Sequence, residues 1–149
     1  MTTSDRENLA AQQESALQAL LRKAPPPAGM DPAQVEHTAN VLQSKRRHEA
    51  GLSAPRLREL FGNDFPRHFD AYAAAHDYPK RGGPAADAAA FGDYLQQQNL
   101  FPWSAGFEHL MLKTMTGRRI QARRIGPWYI LMVRIRGRVR IWRLKVARG

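Results

Sequence analysis

The feature that most constrains the fold is a change of hydrophobic period near Gly117. Before it, apolar residues recur every three or four positions, which is typical of amphipathic helices; after it, apolar and polar residues alternate, which is typical of half-buried strands. The alternating segment, residues 118–149, carries eleven Lys or Arg and no Asp or Glu, whereas residues 1–117 carry 12 basic and 13 acidic side chains. The formal net charge of +10 is therefore concentrated on the predicted strands.

The positions of capping residues, prolines and glycines predict an α+β fold, with a bundle of about five helices followed by a small three-stranded antiparallel sheet. Residues 1–23 form a predicted N-terminal helix that starts at the Ser4–Glu7 capping box. Residues 24–30 form a stiff proline-rich linker, residues 31–117 a helical module, and residues 118–149 a basic antiparallel sheet.

Within the helical module, Asp31 followed by proline predicts a helix start, and Gly51 predicts its end. Ser53 is expected to cap a short helix that Gly62 closes. Later helices present the apolar stripes Phe65, Phe69, Tyr72 and Ala88, Phe91, Tyr94, Leu95. The stretch from Leu100 to Gly117 fits a helix better than a strand, with Gly117 expected to end it in the left-handed conformation.

Two turns divide the C-terminal segment into strands. Gly126-Pro127 separates the first predicted strand from the second, and Arg136-Gly137 is interpreted as a tight turn between the second strand and the third. Arginine is not the Asn or Asp that a type I′ turn favours at its first position. The register is therefore open by one residue, and such a slip would exchange the two faces of the sheet.

The residues do not indicate a catalytic site, a metal or a cofactor. There is no cysteine, which excludes disulfides, thiolate ligands and a cysteine nucleophile, and which is compatible with a cytoplasmic location. The five histidines form no metal-ligand spacing, and Asp87 and Asp93 are too far apart along the chain to form an acid/base pair. The N-terminus lacks a signal-peptide pattern and no apolar stretch reaches the ~20 residues needed to span a bilayer, so we expect no membrane partner.

The arginines of the predicted sheet cannot all be buried without partners, because an uncompensated buried charge costs several kcal/mol. We expect alternation to place many of them on one wet surface beside aromatic side chains, where guanidinium groups bind anions and indoles stack. One alternative is a solvated edge that resists aggregation; the other is an anionic partner, either nucleic acid or an acidic peptide that adds as a strand. The candidate binding residues are Arg119, Arg123, Arg124, Trp128, Arg134, Arg138, Arg140, Trp142 and Arg143. A second cluster, Lys45-Arg46-Arg47, is interpreted as the solvated face of a helix.

The chain resembles the HvfC, BufC and MbnC proteins, and especially a short actinobacterial-type relative, over roughly Val35 to Val146. Members of that family carry the label of a DNA-binding domain. The resemblance rests on Lys45-Arg-Arg-His-Glu49, Pro55-Arg-Leu57, Leu60-Phe-Gly62, Phe65, Phe69, Tyr72, Pro79, Gly83, Asp87, Phe91, Leu95, Trp103, Glu108 and the Val133–Gly137 hairpin.

The resemblance implies a non-catalytic accessory protein that forms a heterodimer with a multinuclear iron oxygenase of the TIM-barrel type. That enzyme modifies cysteines of a ribosomally made precursor peptide, and the accessory protein binds the leader part of the peptide along its C-terminal sheet. The outer face of the helices is expected to dock the enzyme. Nucleic-acid binding through the same arginines stays open, as does a less favoured interpretation as an enzyme in its own right.

Overall fold

A computed structural model describes Glu7, Asn8 and residues 31–145. Glu7 and Asn8 are helical; the rest of the predicted helix 1–23 and the linker 24–30 lie outside the described residues. The helices are α1 (Pro32–Ser53), α2 (Pro55–Phe61), α3 (Phe65–Ala75), α4 (Gly83–Gln97) and α5 (Gly106–Thr116), with 3-10 turns at Gly62–Asp64 and Trp103–Ala105. The strands are β1 (Ile120–Ile125), β2 (Trp128–Ile135) and β3 (Arg138–Lys145). The α+β fold is confirmed, and none of the described helices could cross a membrane.

Aromatic side chains from α3 and α4 form the centre of the helical core. The predicted stripe on α3 is confirmed, since Phe65, Phe69 and Tyr72 are buried and meet Phe91 of α4 with ring centroids 5.2 to 5.6 Å apart. Leu95 is also fully buried, one turn further along α4. Edge-to-face and tilted contacts of this kind stabilise a core beyond the area they bury.

The end of α1 differs from the expectation. Its start is confirmed, because Asp31 Oδ1 accepts a hydrogen bond from the Ala33 amide at 3.0 Å. Gly51, however, lies inside the helix and is buried, and a Cβ there would come within 3.0 Å of Arg58 Cδ. The glycine therefore serves close packing, and the chain leaves α1 at Ala54, where Pro55 disfavours a helical predecessor.

The start of α2 is capped by a residue far along the chain, and the predicted Ser53 cap is wrong. The Ser53 hydroxyl donates backwards to the Glu49 carbonyl. The two carboxylate oxygens of Glu108, on α5, instead accept hydrogen bonds from the amides of Arg56 and Leu57, each at 2.9 Å. Glu108 thereby satisfies two of the orphan amides of α2 and fixes α2 against α5.

The sheet has the strand order β1-β2-β3, and both connections are two-residue turns. Arg136 (φ 49°) and Gly137 (φ 80°) both adopt positive φ, as a type I′ hairpin requires, even though arginine is an unusual choice. Ile135 pairs with Arg138 across this turn, which settles the register that the sequence left open.

A second, smaller core lies between the sheet and α5. It consists of Leu110 from α5 and of Ile130 and Met132 from the central strand, all buried. Gly117, after α5, has φ −122° and ψ −124°, so the expected left-handed stop is wrong. The last carbonyls of α5 are satisfied by Arg134 from β2, as described below.

Candidate functional site

The register distributes the predicted site residues over both faces of the sheet. Side chains alternate along each strand, and the buried Ile130 and Met132 mark the inner face, which packs on α5. Arg123, Trp128, Arg134 and Arg143 share this inner face; Arg124, Arg138, Arg140 and Trp142 lie on the outer face; Arg119 precedes β1. The structure therefore does not gather the nine residues on one surface.

The inner-face arginines hold the sheet to the helices. Arg134 donates to the carbonyls of Met115 and Gly117 at the C-terminal end of α5, where a cation also complements the helix dipole. The Arg143 guanidinium lies over the Phe107 ring, 5.8 Å from its centroid. Arg134 thus holds β2 to the end of α5, and the guanidinium end of Arg143 rests on the first turn of α5.

Arg123 contacts a buried histidine and two aromatic rings. Its guanidinium carbon lies 5.0 Å from the centroid of Trp103 and 5.8 Å from that of Phe101. Its Nη1 atom is 3.4 Å from Nδ1 of His109, which also faces the amide nitrogen of Gln96 at 2.8 Å. Arg123 thereby joins β1 to the buried imidazole and to the aromatic side chains before α5.

The other nitrogen of His109 completes a network between α4 and α5. Nε2 lies 3.0 Å from the Ala89 carbonyl and 3.2 Å from Asp93 Oδ1, so it carries the proton. Lys113 Nζ binds the same carboxylate oxygen at 2.7 Å. Burial of Asp93 works against ionisation, but the hydrogen bonds from His109 and Lys113 outweigh it and hold the pKa of Asp93 below its usual range. Gly92 makes room, since a Cβ there would lie 2.4 Å from His109 Cδ2.

The outer face combines basic and large apolar side chains. Arg138 and Arg140 are exposed on β3, beside Trp142, which is 46% exposed. Arg124 lies on β1 and donates from Nε to the Gly126 carbonyl at 3.3 Å. The face also exposes Ile120, Tyr129, Ile135 and Leu144. The outer face therefore exposes several large apolar side chains together with its cations.

Six of the described carboxylates form ion pairs within the helical region. Ion pairs join Lys45 with Glu49, Arg46 with Asp87, Arg47 with Asp70, Arg56 with Glu59, Arg67 with Asp64, and Lys113 with Asp93. Among residues 118–145, as far as the structure describes their surroundings, no Arg or Lys forms an ion pair with a carboxylate. The strands therefore present cationic groups that have no carboxylate partner in the part of the chain that the structure describes.

Arg46 shows the opposite arrangement, and its interpretation as part of a solvated face is wrong. Its side chain is only 7% exposed, and its Nε and Nη2 atoms each donate to the fully buried Asp87 carboxylate at 2.8 Å. Tyr72 donates to the same carboxylate, and Arg46 also donates to the His76 carbonyl. Burial alone would lower the pKa of Arg46, but Asp87 raises it; burial and the Asp87 charge together raise the pKa of Tyr72.

A mostly apolar open cleft of about 470 Å³ lies where α2 begins beside α5, and Glu108 lines it with Phe107, Met111 and Met115. The Glu108 carboxylate already accepts the two amides of α2, so it is engaged in structure. Across Glu7, Asn8 and residues 31–145, no group of three His, Asp or Glu side chains is placed to hold a metal ion.

Sequence reasoning missed the role of Asp87 as the buried partner of Arg46. A signal for it was present, because Arg46 falls on the same helical stripe as the buried Ala39 and Ala50, where a surface cation does not belong. Lys145 continues the alternation of β3 and is exposed beside Arg143 on the inner side of the strand. The apolar outer face was readable from alternation only once the register was known.

Comparison with known proteins places the helical part of the chain in a family. Residues 10–97 match the family described as SCO6045-like, C-terminal domain, and this match ends at the last residue of α4. A UPF0276 protein from Streptomyces avermitilis is 33% identical over 90 residues, which cover 60% of this chain but only 18% of that protein. No solved structure matches. The chain belongs to the family of SCO6045-like C-terminal domains.

Proposed function

We propose that this protein is a non-catalytic accessory protein that binds an acidic precursor peptide along its basic sheet and acts beside an iron-dependent peptide-modifying enzyme. The observation that carries the proposal is the composition and position of β3. It pairs only with β2 among the described strands, and its basic residues have no carboxylate partner there. Within residues 31–145 it is thus a strand edge without a partner strand, and its positive charge is unmatched.

Strand addition explains why such an edge suits an extended peptide. The N–H and C=O groups on the free side of an edge strand can pair with another chain, which supplies affinity that does not depend on peptide sequence. Arg138 and Arg140, exposed on this strand, attract carboxylates, and Trp142 adds an apolar contact. Together these groups favour an extended peptide that mixes acidic and apolar residues.

The enzyme partner is proposed from two lines of support. The first is the resemblance to HvfC, BufC and MbnC proteins, which implies a heterodimer with a TIM-barrel multinuclear iron oxygenase. The second is the length of the Streptomyces relative, in which the matched module is part of a much longer chain. A module that is covalently joined to other sequence in one protein often associates with a similar unit as a separate chain. The exposed outer surface of α1 to α4, including Val41 and Leu52, would form the docking face.

Peptide binding is tested with the full chain and two labelled probes across a range of salt concentrations. The probes are a peptide of alternating glutamate and valine and a random-sequence DNA duplex. We expect peptide binding that persists at moderate salt, because backbone pairing and apolar contacts are not screened. Tight DNA binding without peptide binding would overturn the proposal. Contacts with DNA phosphates would be recognised by a steep loss of affinity with salt, with a log–log slope of about 0.9 per phosphate contacted.

Nucleic-acid binding is retained as a second candidate because of the outer face of the sheet. Tyr129 and Trp142 are exposed there, with Arg124 and Arg140 on the same face. Aromatic rings on a sheet surface can stack bases while the arginines contact phosphates. A single-stranded oligonucleotide in the same titration distinguishes this candidate, because its binding should quench the Trp142 fluorescence and be lost in a Trp142→Ala variant.

The enzyme partnership is tested by searching the neighbouring reading frames for a barrel-type enzyme and co-expressing any such enzyme with this chain. We expect a stable one-to-one complex in size-exclusion chromatography with light scattering, and turnover of the precursor peptide only when both chains are present. A barrel enzyme that is fully active alone and forms no complex would contradict the partnership while leaving peptide binding intact.

A further inference from the structure

The residues of β3 follow an order that is the same from both ends. Arg138 to Lys145 reads basic, apolar, basic, apolar, apolar, basic, apolar, basic. Seven of the eight residues are exposed, and only Val139 is half-buried. The inner-face Val139 packs against the smaller core, and Arg143 lies over Phe107, but the strand is otherwise exposed along its length. The pattern therefore defines what a neighbouring strand would meet.

The register assigns this pattern to the two faces of the sheet. On the outer face, the basic Arg138 and Arg140 lie near the hairpin turn, and the apolar Trp142 and Leu144 follow. On the inner face the order is reversed, with the apolar Val139 and Ile141 first and the basic Arg143 and Lys145 last. Each face thus has a basic half and an apolar half, and the two faces place them at opposite ends.

We infer that the ligand of this edge is a peptide strand with the complementary order: acidic, apolar, acidic, apolar, apolar, acidic, apolar, acidic. The inference rests on the proposed peptide-binding function. Residues directly opposite each other on one face of paired strands interact, and opposite charges and apolar pairs are both favourable there. Because the order reads the same from either end, the side-chain pattern suits a strand of either direction.

A second copy of the chain suits this edge less well than an acidic strand. Directly opposite residues share a face of the sheet, so two β3 strands paired antiparallel about Ile141 would place Arg138 opposite Leu144 and Arg140 opposite Trp142. The arginines would then face no acidic side chain, and basic edge strands resist self-association. The edge therefore favours an acidic strand over its own copies.

The hairpin also identifies the backbone groups that are available. Ile135 and Arg138 flank a two-residue turn, and residues in that position exchange both hydrogen bonds. The alternation then directs the amides and carbonyls of Val139, Ile141 and Arg143 to the open edge. An added strand would pair with these groups, using every second residue of its own backbone.

The experiment compares two labelled peptides of equal composition, one with the inferred order and one with its acidic residues moved into a single block. We expect the ordered peptide to bind about tenfold or more tightly, since four favourable cross-strand pairs are lost in the blocked one. Equal binding of both peptides would overturn the inferred order but leave peptide binding in place. Binding of neither peptide would overturn the proposed function itself.

Two further variants test the register and the strand pairing. In Arg140→Glu/Arg143→Glu, the ordered peptide should lose affinity, and a peptide with lysine opposite these two positions should recover it; the matched control Arg81→Glu, in an exposed loop, should change neither. N-methylation of one alternate set of peptide amides should abolish binding, and methylation of the other set should not. Equal tolerance of both methylated peptides would show attraction by charge alone and overturn the inference.

Discussion

Arg46 on α1 and Arg140 on β3 carry the same guanidinium group in opposite surroundings. Arg46 is buried, bound bidentately by Asp87 and supported by Tyr72 and a backbone carbonyl. Arg140 is exposed and has no carboxylate partner among the described residues. A buried charge is tolerated only when its partners are complete, whereas an exposed charge costs little without any. We therefore call the helical region closed, because its buried charge is fully paired. We call the sheet open, because its exposed charges have no carboxylate partner among the described residues.

The two regions differ in packing in the same sense. The helical core surrounds Phe69 and Phe91, which are fully buried by neighbours on several helices. Of the helices that the structure describes in residues 31–145, α5 covers the inner face of the sheet, where Met132 is fully buried, while Ile120 and Leu144 on the outer face are 62% and 65% exposed. Stability is thus concentrated in the helices, and the surface available for binding is concentrated in the sheet.

The largest expected loss of stability comes from removing the partner of the buried charge in the helical region. Asp87→Ala leaves the Arg46 guanidinium buried without its counter-charge, and we expect a loss of about 3–5 kcal/mol in the free energy of unfolding. Urea denaturation followed by circular dichroism measures it.

Two variants serve as controls for Asp87→Ala. Asp70→Ala removes a half-exposed partner of Arg47 and should cost no more than about 1 kcal/mol. Arg46→Met/Asp87→Leu removes both charges and should recover most of the lost stability, because well-packed apolar residues can replace a buried pair. An Asp87→Ala protein as stable as the Asp70→Ala protein would refute the importance given to the buried pair.

A smaller effect is expected where the two regions are joined. Glu108→Ala removes the carboxylate that caps α2 from α5, and the loss should be about 1–2 kcal/mol, as for other N-cap deletions. Glu59→Ala is the matched control, because Glu59 only forms an exposed pair with Arg56 on α2 itself. Equal stability of the two variants in urea denaturation would contradict the capping role.

The hairpin turn offers a gain in stability. Arg136 adopts a φ of 49°, which asparagine tolerates better than arginine. Arg136→Asn should therefore stabilise the protein by about 0.5–1 kcal/mol, measured as an increased urea midpoint. Arg138→Asn, at a strand position outside the left-handed region, is the control that should give no such gain.

How far the sequence predicted this molecule depended on the distance between interacting residues. The stripe of Phe65, Phe69 and Tyr72 was readable because helical period is a local property. Arg46 was misread because its partner lies 41 positions away, and the Glu108 cap was missed because its partners lie 51 and 52 positions away. One sequence does not show which distant residues meet.

The candidate site was predicted in composition but not in geometry. Alternation and the absence of acidic residues predicted a basic sheet, and the structure has its arginines on both faces and not on one surface. Its division into two faces depended on the register, which depended in turn on whether Arg136 would adopt a positive φ. Because that residue type rarely does so, local propensity could not decide between the two faces.

The half-exposed Asp93 should give a small and pH-dependent effect. Its pKa is lowered in the folded state, so its contribution is complete above its unfolded value near 3.8 and is lost as the pH falls through the lower folded value. Asp93→Asn should cost less than about 1 kcal/mol at neutral pH, since solvent screens the pair with Lys113. The difference from the unmodified protein should shrink as the pH falls below that unfolded value. A difference that stays constant with pH would rule out the ionised carboxylate as its source.

The smallest effect on stability is expected in the open region, and this expectation sharpens the comparison most. Arg138→Gln/Arg140→Gln removes two outer-face charges that have no carboxylate partner among the described residues, so the urea midpoint should stay within experimental error of the unmodified protein. The same variant should bind the acidic peptide more weakly, because the charges act on a partner and not on the fold. If the variant were instead destabilised as much as Asp87→Ala, the sheet would be held together by its own arginines, and the distinction between a closed helical region and an open strand edge would be lost.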